Sequence, residues 1–130
     1  MTTVGNFRLP YEPKASKNKM HGFNPKTGRK FLHPKARAWR KNIADQIKLW
    51  IQNNDITPPA TGHPVSVSLI AHFPPQGGRR GHRSDATNFV DLTIDGVKMG
   101  LGIDDYSFSV SAQPGPTDPN GGYITCLVEL

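Results

Sequence analysis

The chain has one cysteine, Cys126, so an internal disulfide is excluded, and so is a structural zinc site built on several thiolates. A lone cysteine also fits a reducing compartment. No apolar run approaches the roughly 18 residues that a membrane span requires, and Met1 to Val4 carries neither the charge nor the apolar region of a signal peptide. The expectation is a cytoplasmic protein without membrane association. Hydrophobic residues make up only 35% of the sequence, while 13 glycines and 12 prolines punctuate it, so loops are abundant. With 130 residues there is material for one domain, residues 1–130, with one modest core.

Acidic residues are also scarce: 10 Asp and Glu stand against 16 Lys and Arg, a formal charge of +6. The cations are clustered. Lys14, Lys17, Lys19, Lys26, Arg29, Lys30, Lys35, Arg37, Arg40 and Lys41 fall in one stretch, and Arg79, Arg80, His82 and Arg83 in another. Such a footprint suits a polyanion, nucleic acid first, although a solvated basic face would look the same in composition.

Hydrophobic periodicity gives an α/β (α+β) single domain, a mixed sheet of about four strands with two helices. "NFRLPYEP" (Asn6 to Pro13) reads as a first strand ended by prolines. Residues 14–33 read as a basic hairpin or arm around the turn residues of "NPKTG". Pro34 opens the clearest helix, whose apolar stripe is Ala36, Trp39, Ile43, Ile47 and Trp50, with Asn53 and Asn54 at its end. "VSVSLIAHF" (Val65 to Phe73) alternates as a strand, as do "YSFSVSAQ" and the terminal "YITCLVEL". A second helix is expected from Ala86 to Met99, with Ser84 or Asp85 as its N-cap and Gly100-Leu101-Gly102 as its breaker.

That second helix holds the strongest anomaly. Five of the scarce carboxylates, Asp85, Asp91, Asp95, Asp104 and Asp105, sit within "SDATNFVDLTIDGVKMGLGIDD". On a helical wheel Val90, Ile94, Val97 and Leu101 share an apolar side, with Asp85, Asn88, Asp91, Asp95 and Lys98 opposite. A solvated helix face would tolerate the Asp91/Asp95 pairing, which costs roughly 0.2–0.5 kcal/mol. If Asp104 and Asp105 fold back beside them, repulsion of about 4 kcal/mol per close pair calls for a counter-charge. A hard divalent cation such as Mg²⁺, which takes oxygen ligands, would supply it. Cations upstream would then hold a phosphodiester over the ion.

The order Asp85, Asn88, Asp95, Gly96, Gly100, Asp104, Asp105, together with "FLHPKARAWRKNIADQI" and its Trp39-Arg40 pair, resembles the RusA-type Holliday-junction resolvases over nearly the whole chain. The resemblance implies a RusA-like domain and a homodimeric, Mg²⁺-dependent endonuclease of phage or prophage type, acting in the host cytoplasm with Mn²⁺ as a substitute metal. Its substrate would be a four-way junction or other branched DNA, cut in recombination and repair. By position, Asp85 and Asp105 take acidic site roles, with Asp104 and Asp95 in support. Thr87 stands where the family has a second Asp, and Asp91 where it has a Lys. The site hypothesis is therefore Asp85 and Asp105 with the missing oxygen from Asp91 or Asp95. DNA contacts would come from Lys14, Lys17, Lys19, Lys26, Arg29, Lys30, Arg40, Arg79, Arg80 and Arg83.

Among the remaining residues, His72 reads as a strand residue satisfying a local hydrogen bond or as a proton shuttle. Tyr11, Phe23 and Phe31 are interleaved with the cations of the arm. They either pack it onto the body or open a base step. Besides the endonuclease, two readings stand open: a degenerate relative that binds branched nucleic acid without cutting it, and a basic protein-interaction module.

Overall fold

The computed structural model describes residues 3–75 and 86–130. Strand β1 (Val4–Pro10) leads through a 3₁₀ turn (Pro13–Ala15) to a hairpin of β2 (His21–Asn24) and β3 (Arg29–Leu32). Helix α1 (Pro34–Asn53) and strand β4 (Val65–His72) follow, then helix α2 (Val90–Leu101) and strands β5 (Phe108–Pro114) and β6 (Tyr123–Glu129). The expected α+β single domain is what the chain forms: a mixed four-stranded sheet, a separate two-stranded sheet and two long helices.

The sheet order is β1-β6-β4-β5, with β6 antiparallel to both neighbours and β5 parallel to β4. Parallel neighbours need a crossover, and α2 lies in that connection. Alternation then sorts the side chains. Phe7, Leu9, Val65, Val67, Leu69, Ala71, Ala112, Ile124, Cys126 and Val128 share one face by register and are buried. The helices cover that face. The opposite face carries Asn6, Arg8, Thr125, Ser68, Ser111 and Gln113, and no described element covers it.

Helix α1 forms as the stripe predicts, with Ala36, Trp39, Ile43, Ala44 and Ile47 buried. Pro34 occupies its first turn, and His33 caps it by accepting the Lys35 amide on Nδ1 at 3.1 Å. The Trp39 indole N–H donates to the Pro10 carbonyl at 3.0 Å, which ties α1 to the end of β1. Cys126 is buried at the sheet centre, and burial pushes its thiol up to about 12 from the ordinary 9.0, so it stays neutral and unreactive.

Helix α2 is interrupted near its expected start and runs further than expected at its end. Ala86 and Thr87 are helical, but a turn at Asn88 and Phe89 intervenes, and the main helix starts at Val90 with Phe89 in the capping position. Phe89 is buried against Trp39, Tyr11 and Phe73, so aromatic packing, not a polar cap, fixes this end. At the other end Gly100 and Leu101 remain helical, and only Gly102, at φ 72°, turns the chain out. Gly100 is there for proximity: a Cβ on it would stand 2.7 Å from Ile47 Cβ and 3.1 Å from the Ala44 carbonyl oxygen. At Gly96 a Cβ would meet Ile43 Cγ2 and come within 3.1 Å of the Arg40 carbonyl oxygen. The two helices therefore run side by side in the same direction with backbones nearly in contact.

Replacing Gly96 with Ala tests that contact. Alanine gains roughly 0.5–1 kcal/mol over glycine inside a helix. Overpacking against Ile43 and the Arg40 carbonyl costs about 1–3 kcal/mol. The denaturation midpoint of Gly96→Ala should fall, and a rise would show that the helices stand further apart.

Candidate nucleic-acid interface

From Pro13 to Ala44 the sequence contains no Asp or Glu, so the cations of this stretch ahead of Lys41, which pairs with Asp45, have no counter-charge within it. The structure displays them on a built element. Asn24 shapes the hairpin turn twice, accepting the Lys26 amide on its side chain at 3.0 Å and the Gly28 amide on its carbonyl at 2.8 Å. Gly28 takes φ 68°, the left-handed conformation that glycine adopts without strain. At its base the hairpin is tied to the body: the His33 amide donates to the Met20 carbonyl, Arg37 donates to the Leu32 carbonyl at 3.2 Å, and Met20 and Leu32 pack on the core. A two-stranded ribbon alone is marginal in water, and these anchors hold it.

Lys17, Lys19, Lys26, Arg29 and Lys30 are exposed, as are Lys35 and Arg37 on the first turn of α1. Lys14 is half-buried, its amide held by the Glu12 carboxylate. Arg40 is also half-buried, and its Nε is enclosed without a hydrogen-bond partner. Arg79, Arg80, His82, Arg83 and Ser84 lie outside the described residues. The Lys17 amide donates to the Asn88 carbonyl at 2.8 Å, so the basic stretch meets the segment leading into α2. Since α1 and α2 run in parallel, their N-terminal ends and the hairpin form one basic end of the molecule.

The aromatic residues of this region divide. Tyr11 packs edge-on to Phe73 and against Phe89, so it joins arm to body. Phe23 and Phe31 do not: they are 61% and 44% exposed. Trp39 and Trp50 serve packing, as the α1 stripe implies, with Trp50 edge-on to Phe7.

The carboxylates are arranged differently from the single cluster expected. Asp85 lies outside the described residues. Asp91 is in the first turn of α2 and Asp95 one turn on, both exposed. Asp104 and Asp105 follow the Gly102 turn, also exposed, and the folded-back loop brings Asp105 within 4.0 Å of Lys98 Nζ. Asp91 stands ten positions ahead of Leu101, a rise of about 15 Å along the helix, whereas Asp105 folds back onto Lys98 near the C-terminal end. Among the described residues, no three His, Cys, Asp or Glu side chains gather closely enough to hold a metal. Of the expected set, Asp91, Asp95, Asp104 and Asp105 therefore form no group of three, and Asp85 lies outside the described residues. What remains is the Asp104-Asp105 pair. Its donors are hard oxygens, and Mg²⁺ is commonly held by one or two carboxylates with phosphate and water completing its shell, so in chemistry the pair fits. Its nearest cation is a half-exposed Lys98 at long range, an interaction worth little.

His72 donates or accepts at 2.9 Å with the Pro116 carbonyl through Nδ1 and stacks on Tyr123 at 4.3 Å, while the Arg8 guanidinium lies over the same ring at 3.7 Å. This ladder sits on the uncovered sheet face, and its contacts account for His72 as a strand residue with a satisfied hydrogen bond. The sequence signal for the open face is the serine-rich alternate register of β4 and β5.

No protein-family model matches the chain, and a search of curated proteins finds no relative. No described helix is long and apolar enough to cross a membrane.

If the hairpin holds a nucleic acid, affinity must depend on salt through it. Replacing Lys26, Arg29 and Lys30 with Ala should reduce the slope of log affinity against log salt by about 0.9 for each duplex phosphate that is no longer neutralised. An unchanged slope would place the interface elsewhere.

Proposed function

We propose that this chain binds branched DNA through its basic end and nicks it with the help of a divalent cation, in the manner of the RusA-type resolvases it resembles. The observation that carries the reading is the display of uncompensated cations on a braced hairpin, beside the segment that enters the acid-bearing helix. A polyanion is attracted there, whereas carboxylates without a metal would repel it.

In this reading Asp104 and Asp105 would hold Mg²⁺, or Mn²⁺ in its place, with phosphate and water completing its shell. When bound between these carboxylates, the ion would supply Lewis-acid chemistry at a phosphoryl oxygen and a more acidic water. The chain's own contribution is positional. Gly102 turns the loop back, Ile103 is buried as its anchor, and Lys98 stands beside Asp105 where it would meet a phosphate oxygen. A homodimer would present two such surfaces to a junction and cut symmetry-related strands.

The second reading, a protein that holds branched DNA without cutting it, is favoured by one observation: the described carboxylates do not gather into a metal-binding group. One assay separates the two. A labelled four-way junction incubated with the chain should be nicked with Mg²⁺ and left whole with a chelator. Asp105→Asn should lower the rate about a hundredfold or more, the equivalent of several kcal/mol of lost metal stabilisation. Retention of the junction on a gel without nicking, under Mg²⁺ and Mn²⁺ alike, supports the second reading. Neither binding nor nicking removes both.

A further inference from the structure

The hairpin register places Gly22 opposite Phe31 and Asn24 opposite Arg29. Alternation puts these four on one face of the ribbon, with His21, Phe23, Lys30 and Leu32 on the other. Leu32 packs on the core, so the Gly22-Phe31-Arg29 face is turned away from the body at the ribbon's base. Here the lack of a side chain at Gly22 is used. A Cβ on Gly22 would come within 2.7 Å of Phe31 Cε2 and 2.9 Å of Cε1, and closer still to Cζ. The distal half of the phenyl ring thus fills the space over the glycine, supported from behind by backbone. Even so, Phe31 remains 44% exposed.

The ring covers the strand glycine as a cross-strand aromatic does, yet much of it stays open to solvent among exposed cations. Arg29 lies two residues away on the same face, and no described carboxylate pairs with it. An exposed ring braced on one side, with a guanidinium alongside, matches a ligand that has both a flat aromatic group and an adjacent anion. A nucleotide has both. In a duplex the base faces are hidden by stacking, so the base that reaches such a ring is unpaired.

We propose that the Gly22-Phe31 platform stacks an unpaired base, with Arg29 on the phosphate next to it, so that the hairpin recognises single-stranded nucleotides exposed at a branch. The proposal rests on the nucleic-acid reading above and adds to it a substrate element. Every base has a π face, so the platform is tolerant of sequence. Phosphate contacts from Lys26 and Lys30 are shared by duplex and single strand, whereas the Phe31 contact belongs to the single strand alone.

The test compares binding of the full chain to a short oligothymidylate and to a blunt duplex at one salt concentration, by fluorescence anisotropy. Phe31→Leu should weaken single-strand binding by roughly tenfold, the loss expected for one base stack, and leave duplex binding within about twofold. Phe31→Trp should restore it. Gly22→Ala keeps the ring but displaces it, and should weaken single-strand binding in the same direction. With a fluorescent adenine analogue in the oligonucleotide, the native chain should quench the base and Phe31→Leu should not. Equal loss on both nucleic acids, or no loss on either, overturns the platform while leaving the branched-DNA reading in place. If the unaltered chain binds neither, both readings fall together.

Discussion

The backbone contact between α1 and α2 determines where everything else in this molecule can be. Gly96 and Gly100 let Ile43 and Ile47 sit against the α2 main chain, so the helices pack side by side and in the same direction. Two side chains of ordinary size at those positions would force the helices apart and uncover the sheet face they bury together. Because α2 is also the crossover between β4 and β5, the same contact fixes its N-terminal end beside the start of α1 and its C-terminal end where β4 and β5 begin. The hairpin, leading directly into α1, is carried to the first of these ends.

The chemistry is divided by this arrangement. Cations without local counter-charge occupy one end, on a ribbon braced by Met20, Leu32 and Arg37. Asp104 and Asp105 occupy the other, beyond the Gly102 turn. A strand of nucleic acid that touched both would have to run along α2, past Asp91 and Asp95. On the proposed reading, whatever the acids do, the attraction of a polyanion would begin at the hairpin.

Much of the fold was legible because its elements are one-sided. The α1 stripe faces a single layer, and β4 and β6 alternate because one sheet face is buried and the other is open, so period alone locates them. The α2 boundaries were not legible in the same way. The N-cap candidates Ser84 and Asp85 lie outside the described residues; what periodicity does not show is the turn at Asn88 and Phe89, where burial of Phe89 among Trp39, Tyr11 and Phe73 sets the start of the main helix at Val90. Gly100 looks like a breaker, yet it is a packing residue whose reason lies in a distant part of the chain, Ile47. The carboxylates illustrate a further limit. A helical wheel projects Asp91 and Asp95 onto one side and says nothing of the rise along the axis, and the described carboxylates form no group of three along it. The arm aromatics needed tertiary knowledge too: Tyr11 has a core to join, whereas Phe23 and Phe31 sit on a ribbon with no layer beyond it.

The central claim, that nucleic acid is held at the hairpin end, is most directly tested by amide hydrogen exchange of the full chain with and without a bound four-way junction. The account predicts added protection in β2, β3 and the first turn of α1, with the outer edge strand β5 unchanged. Protection confined to the open sheet face, around Arg8, Thr125 and Ser111, with the hairpin exchanging as in the free chain, would contradict it.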